Sequence, residues 1–259
     1  MNSRLTIPDR LLEAAIGKTT RIIDYRASAW LYGLDGVPEL HPEFSVAHGA
    51  WTRGPFDHQR RRIDDLEIVE IGGMPVASVS QTLVDLAAVV DLDIVERATE
   101  SALRRRLVEE AALREFADRW AFHRHGVPGL REVLDRRRPG EAPTASDLET
   151  LNLQVWRTDP RIPRPERQWP VFDEHGQFVA FADFGFPPRL FVVEDDGLGT
   201  HGSPDELQYD LNRQNSISDA GYGFRRFTYA DVTRRPKYVC RETRRGLVAA
   251  PFARLPLRF

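Results

Sequence analysis

A chain of 259 residues, 41% hydrophobic with five Trp and fourteen Phe, carries enough apolar material for one large core or two modest ones. No apolar run approaches the length of a membrane span, and the start (Met1-Asn-Ser-Arg-Leu-Thr-Ile-Pro8) lacks the apolar region of a secretory signal. A cytoplasmic protein without membrane partners is therefore expected, and a lone Cys240 excludes intrachain disulfides and any Cys-rich zinc site. The net charge of −3 hides an uneven distribution. Residues 171–210 hold nine Asp and Glu and one Arg, whereas 210–259 hold eleven Arg and Lys against four Asp and Glu. An acidic centre beside a basic flank suits a metal-dependent enzyme acting on a polyanion. For the Arg241–Arg245 stretch alone, a solvated helix face serves equally well.

The first half reads as mainly helical with a small β component. Residues 7–17 form a short helix with Pro8 in its first turn and Leu11, Leu12, Ala15 and Ile16 on one face. Residues 19–23 are extended, and a helix from Arg26 is ended by Gly33. Strands follow at Phe44–Ala47 and Leu66–Ile71, with an Arg-rich loop (Gln59-Arg-Arg-Arg62) between them. Residues 74–80 lead into an apolar helix over 81–90, and amphipathic helices occupy 93–106, 109–121 and 128–137. Prolines, glycine and charge in Arg136-Arg-Arg-Pro-Gly-Glu-Ala-Pro143 stop the last of these, which places a domain boundary at 138/139.

Beyond the boundary, Ser146 with Glu149 three residues on is a capping box, and its helix ends before Pro160. The order is then β-β-β-α-β-α: strands at 168–172, 178–184 and 190–194, a helix from Ser203 stopped by Gly221, a strand at 224–229 and a final helix over 231–247. Asp183 lies in the aromatic run Phe181-Ala-Asp-Phe-Gly-Phe-Pro187, and Glu194-Asp-Asp-Gly197 ends the next run. Side chains alternate along a strand, so Glu194 and Asp196 share a face and Asp195 projects away. Aspartate is poorly suited to a strand core and costly to bury unpaired, so a metal is an apt partner for Asp183. Mg²⁺ is commonly held by one or two carboxylates with water and phosphate completing its shell, the outline of a phosphodiesterase site. The competing reading of Glu-Asp-Asp-Gly is a solvated turn.

This order of elements resembles the restriction-endonuclease-like core of the PD-(D/E)xK superfamily, and more closely the very-short-patch-repair-like endonuclease domains. The matching residues are Ser146-Asp-Leu-Glu149, Arg167-Gln-Trp-Pro-Val171, Asp183-Phe-Gly-Phe-Pro187, Glu194-Asp-Asp-Gly197, His201, Tyr209-Asp210, Arg213, Ile217, Gly221 and Arg226-Phe-Thr-Tyr-Ala-Asp-Val232. The first region resembles AbiEi-antitoxin-like segments through Arg26-Ala-Ser-Ala-Trp-Leu-Tyr-Gly-Leu-Asp-Gly36, Gly73-Met-Pro-Val76 and Gln81-Thr-Leu-Val-Asp-Leu86. The resemblance implies an α/β chain, with an α-β-β-β-α-β nuclease domain over 139–259 that cuts DNA with Mg²⁺ or Mn²⁺. Asp183 and Glu194 become metal ligands, with Glu149 the third unless it only caps its helix. Asp196 stands where the superfamily usually has lysine, and the chain's two lysines, Lys18 and Lys237, are far off in sequence. His201 is then the candidate general base, its ordinary pKa lying near neutrality. Arg213, Arg225 and Arg226 are the nucleic-acid contacts, unless Arg213 simply pairs with Asp210 three residues before it. Trp120, Trp156 and Trp169 are expected in cores, and Gln168 either aligns water or faces solvent.

The missing lysine and the acidic Asp195 also motivate a second function, an inactive nuclease-fold regulator or antitoxin-like DNA binder. A homodimer and a toxin or repair partner are further associations that the kinship leaves open.

Overall fold

Buried polar pairs as well as apolar periodicity fix the elements of the first half. The computed structural model describes residues 8–9, 11, 21–37, 39–48, 57–60, 63–121, 124–197 and 204–253. The chain divides into two compact units, Met1–Pro139 and Gly140–Phe259. In the first, strands β1 (Ile22–Ile23), β2 (Phe44–Ala47), β3 (Asp57–Arg60), β4 (Ile68–Ile71) and β5 (Met74–Ala77) form a mixed sheet in the order β3-β2-β1-β5-β4. Helices α1 (Tyr25–Leu31), α2 (Val79–Leu86), α3 (Leu92–Arg104), α4 (Glu110–Arg119) and α5 (Val127–Asp135) complete it. Its core joins Ile23, Phe44 and Val76 of the sheet with Leu83, Val95, Leu113 and Leu130 of the helices.

Two features of this unit differ from the sequence reading. The stretch read as an Arg-rich loop begins as a strand: Asp57–Arg60 pairs in parallel with β2, and the buried Asp57 carboxylate accepts from Arg21 at 2.6 Å, which anchors it. Residues 74–77 are strand rather than lead-in, because Gly72 and Gly73 both adopt positive φ and close a two-residue hairpin between β4 and β5. The helix expected over 7–17 lies almost wholly outside the described residues.

The second unit is a four-stranded mixed sheet, β6 (Glu166–Phe172), β7 (Phe178–Gly185), β8 (Phe191–Asp196) and β9 (Gly223–Thr228), in chain order. Helix α6 (Asp147–Arg157) precedes it, α7 (Pro204–Asp219) links β8 to the parallel β9, and α8 (Tyr229–Arg234) and α9 (Pro236–Ala249) follow. The single final helix expected from sequence is divided. Pro236 has no N–H to give and its ring displaces the carbonyl four residues back, so it opens α9 instead of continuing α8. Thr228 and Asp231 cap α8 reciprocally.

Each face of this sheet is covered. Phe184, Phe191, Val193 and Phe227 meet Leu148, Leu153 and Trp156 of α6 and Val239 and Cys240 of α9. Ala180, Ala182 and Val192 meet Ile217 of α7 in a second cluster with Trp169, Val171 and Tyr222. Trp156 bridges α6 to α9 by donating Nε1–H to Thr243 Oγ1 at 2.9 Å. The described part of the chain is thus mixed α/β, and no helix in it is long and apolar enough to cross a membrane.

Gly246 of α9 sits directly on the wholly buried Phe191, where a Cβ would fall 2.2 Å from the ring. Alanine gains about 1 kcal/mol of helix propensity, but overpacking a filled core costs about 1–3 kcal/mol. Gly246→Ala is expected to lower stability, read as a reduced urea midpoint; an unchanged midpoint would mean that α9 can lift off the sheet.

Candidate active site

Strand register assembles the site. Glu194 of β8 is paired with Arg226 of β9. Asp183 falls opposite Glu194, one residue past the paired Phe184 and Val193. Between the pairs Arg167–Phe184 and Trp169–Ala182, Gln168 of β6 falls opposite Asp183. Gln168, Asp183, Glu194 and Arg226 therefore form a transverse polar row across all four strands.

Two carboxylates occupy the middle of this row, Glu194 buried and Asp183 half-buried. Asp183 Oδ2 accepts the backbone N–H of Asp195 at 2.8 Å. Burial nevertheless raises its carboxyl above the usual range, against that bond and the fields of Arg213 and Arg226. Burial pushes the Glu194 carboxyl to about 7, with Arg213 opposing and Asp183 adding to the rise. Arg213 comes from α7. Its Nη2 lies 2.6 Å from Glu194 Oε1 and donates to the Phe181 carbonyl at 2.5 Å. Arg226 lies with Nε 2.6 Å from Asp196 Oδ2, and its Nη2 donates to Asp210 at 2.9 Å. Asp210 thus serves Arg226, not the Arg213 expected from helical spacing. Arg225 projects elsewhere, its guanidinium donating to the Phe224 carbonyl at 2.8 Å and helping to lower the Glu242 carboxyl after Arg241.

The third acid of the run has a different partner. Asp195 accepts from Asn152 Nδ2 of α6 at 2.6 Å. Burial drives its carboxyl well above the ordinary range, against the Asn152 bond, while Asp183, Glu149 and Asp196 raise it further. Asp195 Oδ2 and Asn152 Oδ1 are both buried without a hydrogen bond. A neutral Asp195 supplies the one missing donor, an O–H for which the amide oxygen is the vacant acceptor.

The structure does not gather the full expected metal set. Glu149 is engaged at the start of α6, where its oxygens accept from Ala145 N at 2.9 Å and Ser146 Oγ at 3.3 Å. Asp196 is turned to Arg226. Among the described residues no three His, Cys, Asp or Glu side chains converge to enclose a cation. The expected three-carboxylate gathering is corrected to a pair, Asp183 and Glu194. His201 lies outside the described residues.

Sequence reasoning read Gln168 as aligning water or facing solvent without seeing its geometry, and it passed over an aromatic strip. Gln168 has φ +47° inside a strand, and its Nε2 is buried without a hydrogen bond. A left-handed backbone costs a non-glycine residue about 1–2 kcal/mol and an unmet buried donor about 1–3 kcal/mol. No compositional signal marks such a residue. Phe172, Phe178 and Phe181 form an exposed aromatic strip, with ring centroids 6.1 and 4.9 Å apart in that order. Of the three tryptophans, Trp156 and Trp169 are buried in the cores of this unit and Trp120 packs against the core of the first.

No protein-family model, curated protein or solved structure matches this chain.

The Glu194 carboxyl gives a signed pH dependence. With a folded value near 7 against an ordinary 4.5, the folded state holds a proton that the unfolded chain has already lost between those values. Its contribution to stability is therefore lost as pH rises from about 4.5 to 7. Glu194→Gln is expected to be more stable relative to the parent at pH 8 than at pH 5. The gain is on the order of 1–2 kcal/mol once solvent screening reduces the shift. Urea unfolding at both pH values measures it, and an equal difference at the two would refute the burial of this charge.

Proposed function

We propose that residues 140–259 form a metal-dependent endonuclease domain that hydrolyses DNA phosphodiester bonds on a restriction-endonuclease-like plan. The observation that carries this reading is the pair of half-buried Asp183 and buried Glu194 on adjacent strands, flanked in register by Arg226 and from α7 by Arg213. The same reading takes the first unit as AbiEi-antitoxin-like.

The donor chemistry fits a hard divalent cation. Both carboxyls are raised by burial, and Glu194 Oε1 touches the Arg213 guanidinium without an aligned hydrogen bond. An all-oxygen pair in this condition suits Mg²⁺ or Mn²⁺, which complete their shell with water and phosphate oxygens. Asp183 and Glu194 would hold it, and when bound it supplies Lewis-acid polarisation of the phosphoryl group and an acidified water. The protein's own groups do the rest. The Asp195 N–H fixes the direction of the Asp183 carboxylate. Arg213 and Arg226 bring positive charge to the level of Glu194, the service that a lysine at position 196 would otherwise give. Phe172, Phe178 and Phe181 offer exposed π faces to unpaired bases. His201 keeps its place in this reading as the candidate base.

One observation favours a second reading, a nuclease-fold regulator without catalysis. Arg213 and Arg226 already neutralise Glu194 and Asp196, so the cluster is partly compensated by the chain itself. That protein would bind DNA in a salt-sensitive manner and with equal affinity in EDTA.

Asp183→Asn keeps shape and an acceptor while removing charge. It is expected to abolish Mn²⁺ binding by calorimetry and to reduce Mn²⁺-dependent cleavage at least ~1000-fold, with no loss of melting temperature. Parent affinity for Mn²⁺ should rise roughly tenfold with each pH unit gained up to about 7, since Glu194 must lose its proton to bind. Cleavage that survives in Asp183→Asn would remove the site assignment, and DNA binding indifferent to EDTA with no cleavage would establish the regulator.

A further inference from the structure

The transverse row contains one group that the proposed chemistry has not used. Three non-glycine residues adopt positive φ among the described residues, namely Tyr25, Arg106 and Gln168. Arg106 closes the C-terminal turn of α3, donating its N–H to Leu103, while Leu107 N–H reaches Ala102. Tyr25 opens α1 beside its cap Asp24. Gln168 lies instead inside a strand, flanked by regular pairs on both sides. Its neighbour Trp169 packs on the backbone of Gly185, where an added Cβ would fall 2.2 Å from the indole, so the strand cannot slide to relieve it. Strained residues of this kind persist where the surroundings over-determine them, and they concentrate where a ligand is held.

The unmet atom is informative about the ligand. Gln168 Nε2 is a donor, and it remains buried and unpartnered in a row that contains two carboxylates. We infer that the Gln168 amide contacts substrate, its Nε2 donating to a non-bridging oxygen of the phosphodiester held beside Asp183 and Glu194. The inference rests on the nuclease reading above and adds a recognition group to it. A phosphodiester brings the acceptor oxygen that the free protein lacks. A neutral amide suits this end of the row, because Arg213 and Arg226 already bring cationic charge to the two carboxylates. The backbone strain is then the cost of aiming a short, planar donor at a fixed point.

The test uses the full chain and two variants. Gln168→Gly removes the amide and accepts positive φ without strain, and Gln168→Asn keeps a shorter amide on a residue that tolerates that backbone. Melting temperature, Mn²⁺ affinity, Mn²⁺-dependent cleavage and binding of a fluorescein-labelled DNA oligonucleotide in Ca²⁺ are compared. Gln168→Gly should melt about 2–4 °C above the parent and bind Mn²⁺ equally. It should bind the oligonucleotide at least ~3-fold more weakly and turn over at least ~10-fold more slowly, with Gln168→Asn recovering part of both losses. A lower melting temperature for Gln168→Gly would assign the amide to structure and overturn the inference. So would unchanged oligonucleotide binding and turnover. If the parent binds but does not cleave, and Gln168→Gly binds more weakly, the hydrolytic reading fails while the Gln168 contact stands. A parent that binds no oligonucleotide overturns the contact.

Discussion

Burying Asp183 and Glu194 side by side obliges the surrounding elements to bring positive charge and N–H groups to one level of the sheet. The energetics leave little choice, since like charges at neighbouring positions raise each other's pKa and low polarity raises both. Three elements respond. β9 places Arg226 in register with Glu194, α7 delivers Arg213 to the same carboxylate, and the β8 backbone gives the Asp195 N–H to Asp183. The parallel pairing of β8 with β9 is part of this arrangement, because it sets Arg226 beside Glu194 and Thr228 beside Asp196. A one-residue slip would turn Arg226 to the opposite face, away from Asp196 and Asp210.

The compensation stops short of complete. The Glu194 carboxyl remains near 7 after both arginines have acted on it, and Gln168 Nε2, Glu194 Oε1, Asp195 Oδ2, Asn152 Oδ1 and Arg226 Nε are buried without aligned hydrogen bonds. Glu194 Oε1 and Arg226 Nε still lie 2.6 Å from ionic partners and Asp195 meets Asn152, so of these five atoms Gln168 Nε2 carries the full cost of an unmet donor, on the order of 1–3 kcal/mol. Replacing the whole set by packed apolar residues is the cheaper solution for a structural core. Residual polarity of this sort is what a site for an ionic ligand leaves behind in its free state, and both proposed functions, hydrolysis and DNA binding, draw on it.

The sequence announced the elements better than the contacts. The aromatic and apolar runs over 178–184 and 190–194, the Ser146 cap and the Gly221 stop are local signals, and the strands and helices of the second unit follow them within a residue or two. β3 was illegible because its anchor is a buried ion pair from Asp57 to Arg21, thirty-six residues away, which no local pattern encodes. The break at Pro236 was legible in principle, and helical periodicity on both sides concealed it. At the site, alternation separates Asp195 from Glu194 and Asp196, but it says nothing of which arginine reaches which acid. Spacing alone couples Asp210 with Arg213; the fold gives Asp210 to Arg226 instead, because β9 approaches from the next strand. Sequence alone reads Gln168 as a water-aligning or solvent-facing residue, but its left-handed backbone and unmet donor leave no trace in composition.

Asp195 shows how one residue can couple the site to the helix behind it. Its N–H holds the Asp183 carboxylate on one side of β8, while its side chain turns through the strand to Asn152 on α6. Burial and the surrounding acids favour the protonated form of that carboxyl, against the Asn152 bond. Two members of the acid run Glu194-Asp195-Asp196 face arginines, and the third is a hydrogen-bonding link to α6. The same helix begins with Glu149 capped against Ala145 and Ser146, and the field of Glu149 reaches Asp195. Moving α6 would disturb the Asn152 bond first, then the β8 backbone, and through the Asp195 N–H the orientation of Asp183. Asp195 thus buttresses Asp183 from behind, where an apolar residue would give packing but no directional bond.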